Sequence, residues 1–509
     1  MKLKNILLCA SVLGGLALSS CTGNFLDEDR NPNSLDPENF WKSESDILKG
    51  LTAAYAGLQP TIEWAQPFER YIVIDNYRSD ELDYRPDVTA WMELAMYNNE
   101  STNYVPNDEW TNLYTSINYC NQCLDNIPNV PDNDDEGIKQ TKATSIAEAR
   151  FLRAFYRLFI NFGERLPMFE HELEGTEEEF YPPQVEAGRL KTFIETELSE
   201  CQANLPEKWN TNMAGRVTKY TAAALLGKYY MFIGEKAKAK TEFWKVIDSH
   251  RYELMENYGD NFNGLHENNK ESILEVQFTG SLEGGHYEYN LFTLHLGPDS
   301  GCGAYEEAYP SKWLFNTLKK DLTEDGEYSD RLYETIIFDD PKSRPFYYED
   351  GKGFSDYHQE DNIYWRKYVT YDKSLGDYWD YSGFNIPLIR YADILLLYAE
   401  CLNDEGNSKE AIKYINKVRD RVHVTPLSDT LSKEQVLKHL QDVERPCELA
   451  LEGSRWYDLI RWGIVEDALK SHEKPFASNF ISTKHIRLAI PHKEFLMNPD
   501  WVQNEGYTK

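Results

Sequence analysis

Tyr391-Ala392-Asp393-Ile394-Leu395-Leu396-Leu397-Tyr398-Ala399-Glu400-Cys401-Leu402, followed by Asn403-Asp404-Glu405-Gly406, is the stretch whose reading decides the fold. Tyr391, Ile394, Leu395, Tyr398 and Leu402 recur at helical spacing and predict a one-sided helix. Gly406 punctuates it, because glycine tolerates the left-handed conformation in which helices end. Asn407 or Ser408 can cap a second helix, whose apolar stripe is Ala411, Ile415, Val418 and Val422. The same unit occurs upstream. Ala222, Leu225, Leu226, Tyr229 and Ile233 form one stripe, Gly234 the stop, and Ala239, Phe243, Val246 and Ile247 the partner stripe. A further helix carrying Ala147, Phe151, Ala154, Phe155, Leu158 and Phe162 is expected to end at Gly163.

Helix–turn–helix units of roughly 34 residues, with alanines where two helices approach closely, are tetratricopeptide-like. The expected fold is therefore mainly all-α, with helical hairpins at about 40–60, 108–165, 215–250 and 388–425 and a C-terminal helical region over 430–509. The units are not consecutive. Residues 60–107 and 275–385 are rich in Tyr, Trp, Gly and Asp with weak periodicity, and long irregular segments in a compact helical protein usually carry function. Ser272–Phe278 is the one convincing strand, so β-structure is expected to be minor.

The chain opens Met-Lys-Leu-Lys, runs apolar from Ile6 to Leu18 and reaches Ser19-Ser20-Cys21. That is a secretory signal over residues 1–20, too short for a bilayer span of about 20 apolar residues. Cysteine directly after Ser-Ser makes it a bacterial lipobox, in which Cys21 takes the lipid and becomes the mature N-terminus. Residues 21–39 read as a polar tether and residues 40–509 as a single domain. Formal net charge is −32, and removing Lys2 and Lys4 with the signal leaves −34. Such a surface disfavours nucleic acid and polyanionic ligands, and a neutral ligand fits it better. Of eight cysteines, Cys9 leaves with the signal and Cys21 is lipidated. Cys120 and Cys123 stand alone as a pair in a helical pattern and read as packed thiols, not as a zinc site.

Catalytic signatures are missing: no His-Glu-x-x-His, Walker A, Gly-x-Ser-x-Gly or dinucleotide glycine pattern occurs. Asp132, Asp134, Glu136 and Gly137 resemble half a calcium loop, but Ala143 stands where a bidentate glutamate is needed. No metal or cofactor is expected. Glu444, Glu448, Glu452 and Arg455 are spaced for contacts three or four residues apart, which predicts a helix locked against its neighbour in preference to a carboxylate-binding face.

Several motifs together resemble the SusD/RagB-type family of surface nutrient-binding lipoproteins. They are Phe25-Leu26-Asp27 behind Cys21, Phe40-Trp41 and Tyr55, Ala149 to Tyr156 with Gly163 and Pro167, and Arg216-Val217-Thr218-Lys219. The most specific are Ile389 to Glu400 with Ile415-Asn416-Lys417-Val418-Arg419, and Glu444-Arg445 through Arg455-Trp456-Tyr457-Asp458-Leu459. The ending, Ile490-Pro491 to Tyr507, also fits, with Glu505 where proline is common. The resemblance implies four tetratricopeptide-like units against a loop-rich region. It also implies a non-catalytic role at the outer membrane: capture of an oligosaccharide, or in some members a peptide, for a TonB-dependent, SusC-like transporter. Asp27-Glu28-Asp29 is similar to the signal that sends such lipoproteins to the cell surface.

These motifs are scaffold, so the ligand site has to be chosen from the residues. Sugar recognition needs flat aromatic faces and polar groups that bridge hydroxyls. One candidate group is Asp75, Tyr77, Arg78, Asp80, Tyr84, Trp91 and Asn98, and the other is His286, Tyr287, Tyr289, Tyr305 and Trp313. The leading function is glycan binding and the alternative is peptide binding on the same scaffold. An envelope-assembly tetratricopeptide protein and a hydrolase are the less favoured readings.

Overall fold

The computed structural model describes residues 40–59, 66–158, 161–186, 188–280, 288–343, 351–369 and 382–509. Cys21, the signal and the tether lie outside the described residues, as do His286 and Tyr287. The first half contributes helices α1 (Glu44–Ala56), α2 (Thr89–Ala95), α3 (Tyr104–Asn126), α4 (Glu136–Arg157), α5 (Arg189–Cys201), α6 (Lys219–Phe232) and α7 (Lys236–Asp248). The second half contributes α8 (Phe292–Leu296), α9 (Lys312–Lys320), α10 (Tyr391–Asp404), α11 (Ser408–Arg421) and α12 (Arg455–Trp462), with several shorter helices between them.

The two hairpins predicted from periodicity form and stack: α6 packs on α7, α10 on α11, and α7 on α10. Their turns are the same turn. Gly234 and Gly406 sit at φ +79° and +84°, and the next N–H in each case, Glu235 or Asn407, donates to the carbonyl five residues back, on Tyr230 or Leu402. Asn407 takes the cap position of α11 without a side-chain bond to the helix. Burial follows the stripes: Ala222, Leu226, Ala239, Phe243, Ile394, Leu395, Ala411, Ile415 and Val418 are all at most 2% exposed. Close approach within the α6–α7 hairpin depends on Gly227, because a Cβ there would stand 2.5 Å from the Phe243 ring.

Among the described residues, three two-stranded antiparallel ribbons complete the fold. They pair β1 (Leu82–Tyr84) with β3 (Ala308–Pro310), β2 (Ser272–Val276) with β6 (Ile386–Arg390), and β4 (Ile336–Ile337) with β5 (Tyr364–Trp365). Strand β2 is the strand the sequence predicted. Two expectations change. Helix α4 stops at Arg157 and not at Gly163, because Phe162 reaches the core from a turn and meets Trp110 edge-on at 5.3 Å. In the segment expected to be loop over 60–107, residues 66–107 are more regular: Gln66–Phe68 runs into a π-helical turn, Glu69–Ile74, and α2 follows. The Asp132 turn is exposed, and Asp135 uses its carboxylate to cap α4 through the Gly137 and Ile138 N–H groups. Cys120 and Cys123 are buried free thiols, and burial pushes Cys123 up to about 12, which makes it inert at neutral pH.

Where the hairpins meet the rest of the molecule, the core is ionic. Arg331, Lys367, Arg390, Arg419 and Arg421 interleave with Glu271, Asp321, Glu444, Glu448 and Glu452, all with side chains at most 7% exposed. Arg390 reaches Glu271, Glu448 and Glu452, while Arg331 reaches Asp321, Glu444 and Glu448. Arg421 bridges Glu271 and Glu448, and Arg419 bridges Asp321 and Glu444. Five cations thus balance five carboxylates. Burial opposes ionisation of Glu448, yet Arg421, Arg331 and Arg390 hold it down at about 2. The glutamate ladder is structural, as its spacing suggested, but it does not run along one helix. The chain breaks at Leu451 (φ +63°) and Gly453 (φ +73°), so each carboxylate serves arginines from other elements.

Glu448→Gln should leave Arg390 and Arg421 short of a countercharge in a dry environment and destabilise the protein by about 3–5 kcal/mol. Breaking the exposed Lys409–Asp429 pair by Lys409→Ala should leave the stability nearly unchanged, because water screens it. Thermal unfolding of the two variants side by side checks this, and equal melting temperatures would contradict it.

Candidate functional site

The ribbon β1–β3 brings together most of the aromatic residues that the sequence singled out. Leu82 pairs with Pro310, Asp83 with Tyr309 and Tyr84 with Ala308, which sets the segment after residue 304 beside the segment before residue 85. The ribbon extends by Arg85 N–H donating to the Glu307 carbonyl at 2.9 Å, and Arg85 also donates to the Tyr305 carbonyl at 2.5 Å. Beneath it the rings form a continuous cluster. Tyr77 lies 6.3 Å from Tyr84 and 6.2 Å from Trp91, Trp91 lies 5.4 Å from His295, and His295 lies 5.8 Å from Tyr305. Helix α8 supplies His295, stacked on Phe68 at 4.5 Å, and burial drives its pKa down to about 3. It is therefore a neutral packing ring.

The cluster has an inside and an outside. Tyr77 and Trp91 are 1% and 2% exposed, so they support the surface and do not form it. Tyr77 donates to the Glu307 carbonyl and Trp91 Nε1 to Glu69 Oε1 at 2.8 Å. Tyr305 is 42% exposed and Tyr84 half-buried, and these two present faces to solvent. Tyr104, absent from the sequence-based choice, is 45% exposed and shares Glu69 with Trp91 through a 2.7 Å hydrogen bond. Its position at the start of α3 gave it no distinguishing periodicity. Arg85, Asp87 and Glu306 supply the polar margin. Arg85 Nε lies 2.8 Å from Asp87, and Glu306 accepts from the Asp299 N–H.

The remaining candidates fall elsewhere. Asp75 accepts from Tyr457 Oη at 2.6 Å and lines a half-open cavity of about 260 Å³, and burial raises its carboxyl to about 7. Arg78, 1% exposed, lies over the Trp456 ring at 4.7 Å and donates to the Ile74 carbonyl and to Asn161. Asp80 is gripped by both arms of Arg455 at 2.7 Å and by His472 at 2.7 Å. Trp313 packs against both His472, stacked at 3.9 Å, and the Arg455 guanidinium, 4.9 Å from the ring centroid. Asp75, Tyr77, Arg78, Asp80, Trp91 and Trp313 are thus interior or bracing groups, because the segments carrying them fold onto the helices and are not loops over them. Asn98 is exposed after α2, and Tyr289 is half-buried just ahead of α8.

Glu307 sits under this surface at 5% exposure, and its carboxyl is raised to about 8, first by burial and then by the Asp87 carboxylate, with Arg85 opposing. A carboxyl raised in the folded state contributes stability that is complete below about 4.5 and is lost as pH rises through about 8. The melting temperature should therefore fall between pH 6 and pH 9, and Glu307→Gln should flatten that fall. An unchanged slope in the variant would show that Glu307 is already ionised at neutral pH.

No group of three or more metal-ligating side chains occurs among the described residues. Comparison with known proteins covers the whole chain. A SusD-like protein of Formosa agariphila is 26% identical over 550 aligned positions, spanning 100% of both chains, and a second from that organism is 24% identical over 99% of this chain and all of its own. A SusD superfamily protein from Bacteroides vulgatus superposes with a TM-score of 0.81 at 23% identity, covering 92% of this chain and 100% of that one. A laminarin-binding SusD-like protein gives 0.74 at 26% identity, again over 92% and 100%. The family described as starch-binding and associating with the outer membrane matches residues 24–231. The SusD family itself matches residues 220–507, more than half of the sequence, and the chain belongs to that family.

Proposed function

We propose that this protein is a cell-surface lipoprotein that binds a neutral glycan at the β1–β3 rim and hands it to a TonB-dependent outer-membrane transporter without cleaving it. The observation that carries the proposal is the exposed pair of faces, Tyr305 and Tyr84, seated on a buried aromatic cluster and margined by Arg85, Asp87 and Glu306. Stacked rings offer flat apolar faces to sugar C–H groups, and the arginine and carboxylates bridge hydroxyls. A rigid floor lowers the ordering cost of binding. Tyr287 and Tyr289, from the adjoining segment, and Asn98 are the remaining proposed contacts. The family's starch-binding description and the laminarin-binding relative support a glucan-type ligand. Net charge favours an uncharged one.

Calorimetry with laminarin and starch oligosaccharides tests the ligand. Tyr305→Ala should weaken binding by about 1–3 kcal/mol, by analogy with aromatic stacking on bases, with no change in melting temperature. No heat with any member of a broad glycan panel would shift the reading to peptides, and release of reducing sugar would overturn the non-catalytic claim.

Anchoring and partnership follow from the lipobox and from the family. A lipid on Cys21 and a tether of a dozen residues, reaching about 40 Å at most, would let the domain swing while attached. Cys21→Ala should release the protein from the membrane. Native purification in mild detergent should recover a large barrel protein in near-equal amount, and recovery of the lipoprotein alone would contradict delivery to a transporter.

A further inference from the structure

Away from the rim, the stacked α6–α7 and α10–α11 hairpins carry a run of aromatic rings that leads from the core out to water. Trp244 on α7 is 43% exposed and lies 5.7 Å from Tyr398 of α10, at an interplanar angle of 30°. Tyr398 in turn meets Tyr414 of α11 at 5.0 Å, edge to face. One end of the strip continues through Tyr391, two turns before Tyr398 on α10, which stacks on Tyr252 at 6.3 Å. Five rings from three helices and a loop thus form one strip, with α10 as its floor and α7 and α11 as its walls.

Two further observations point to a ligand of defined chemistry. The hydroxyls of Tyr391, Tyr398 and Tyr414 make no hydrogen bond among the described residues, although Tyr252 has Thr218 at 3.4 Å. Three donors and acceptors therefore stand ready between the ring faces. The carboxylates along the strip are paired locally, and Lys417 lies 4.8 Å from the centroid of the Tyr414 ring. Glu405 is paired with Lys240 at 2.5 Å, Glu410 with Lys413 at 2.6 Å and Glu253 with Lys270 at 3.3 Å. On a protein of such negative charge, this is a patch with aromatic faces, free hydroxyls and paired carboxylates, so a peptide cation finds those carboxylates already taken.

We propose that the Trp244–Tyr398–Tyr414 strip is a second glycan-binding site, taking neutral sugar rings of the same polysaccharide that the β1–β3 rim holds. The inference rests on the glycan reading of the rim. Its consequence is bivalency: a long chain engages both sites, so its affinity exceeds that of either site, whereas a short oligosaccharide engages one at a time. Trp244 offers the broad face, Tyr414 the facing wall, and the phenol hydroxyls the polar contacts.

The test uses the full chain in affinity electrophoresis through gels containing laminarin or soluble starch, with short oligosaccharides of the same glucans measured by calorimetry. The double variant Trp244→Ala, Tyr414→Ala should remain folded, as its circular dichroism shows, and weaken retention by the polysaccharide about tenfold. Tyr305→Ala should retain a residual oligosaccharide affinity that disappears when the strip variants are added. Tyr414→Phe, which keeps the ring and removes the hydroxyl, should fall between wild type and the double variant. Wild-type retention by the double variant alongside loss in Tyr305→Ala would overturn the second site and leave the rim standing. Failure of the wild type to bind either polysaccharide or any oligosaccharide would overturn both.

Discussion

The interaction on which the structure depends is the neutralised charge lattice between the helical hairpins and the rest of the chain. Moving a carboxylate or guanidinium out of water costs several kcal/mol per ion, and only close, multiple pairing offsets it. Here every arginine in the lattice touches at least two carboxylates, drawn from the turn just before β2, the segment after α9, and the chain from Leu440 to Glu452. Such geometry is satisfied in one arrangement only, since a shift of any element strands a buried charge. A second set continues it, with Arg445 between Asp393 and Asp458 and Arg461 between Asp458 and Glu400. Hydrophobic burial supplies the drive to fold, and the lattice specifies the docking of parts that are distant in sequence.

That docking places the rim. The Glu81 carbonyl accepts from the Ser311 N–H just after β3, while the Glu81 carboxylate accepts from the Leu451 N–H and the neighbouring Asp80 pairs with Arg455 on α12, so the start of β1 is tied to the C-terminal region. The ribbon cannot slide without breaking the Asp80–Arg455 pair, so Tyr84 and Tyr305 are held by ionic contacts well behind the surface. A binding face built this way is pre-organised, which favours capture of a flexible ligand because little protein motion has to be frozen.

The aromatic content divides by burial into two tasks. Phe68, Tyr77, Trp91, Phe292 and Tyr368 meet edge-to-face or tilted in the interior, where quadrupoles favour those angles, and His295 stacks on Phe68. Tyr84, Tyr104 and Tyr305 continue the same cluster out to water. On the hairpins the division repeats, with Tyr398 only 8% exposed on the floor and Trp244 open. In both places a buried ring braces an exposed one, which costs less entropy to order than an isolated surface side chain would.

By itself the sequence determined the helical hairpins, their glycine turns and strand β2, because those depend on neighbours within a few residues: the 3.6-residue stripe, Gly234 and Gly406, and the alternation in Ser272 to Val276. The family was legible for the same reason, since its motifs are contiguous. Tertiary structure alone decided which aromatics face solvent. Tyr77, Trp91 and Tyr84 lie within one short stretch and look alike in composition, yet the first two are sealed beneath β3 and α8, elements more than two hundred residues away. Burial at that separation depends on where the charge lattice docks the two segments, and no local period records it. The same holds for Trp244, whose helix stripe is read from Ala239, Phe243, Val246 and Ile247, but whose aromatic neighbours arrive from α10 and α11.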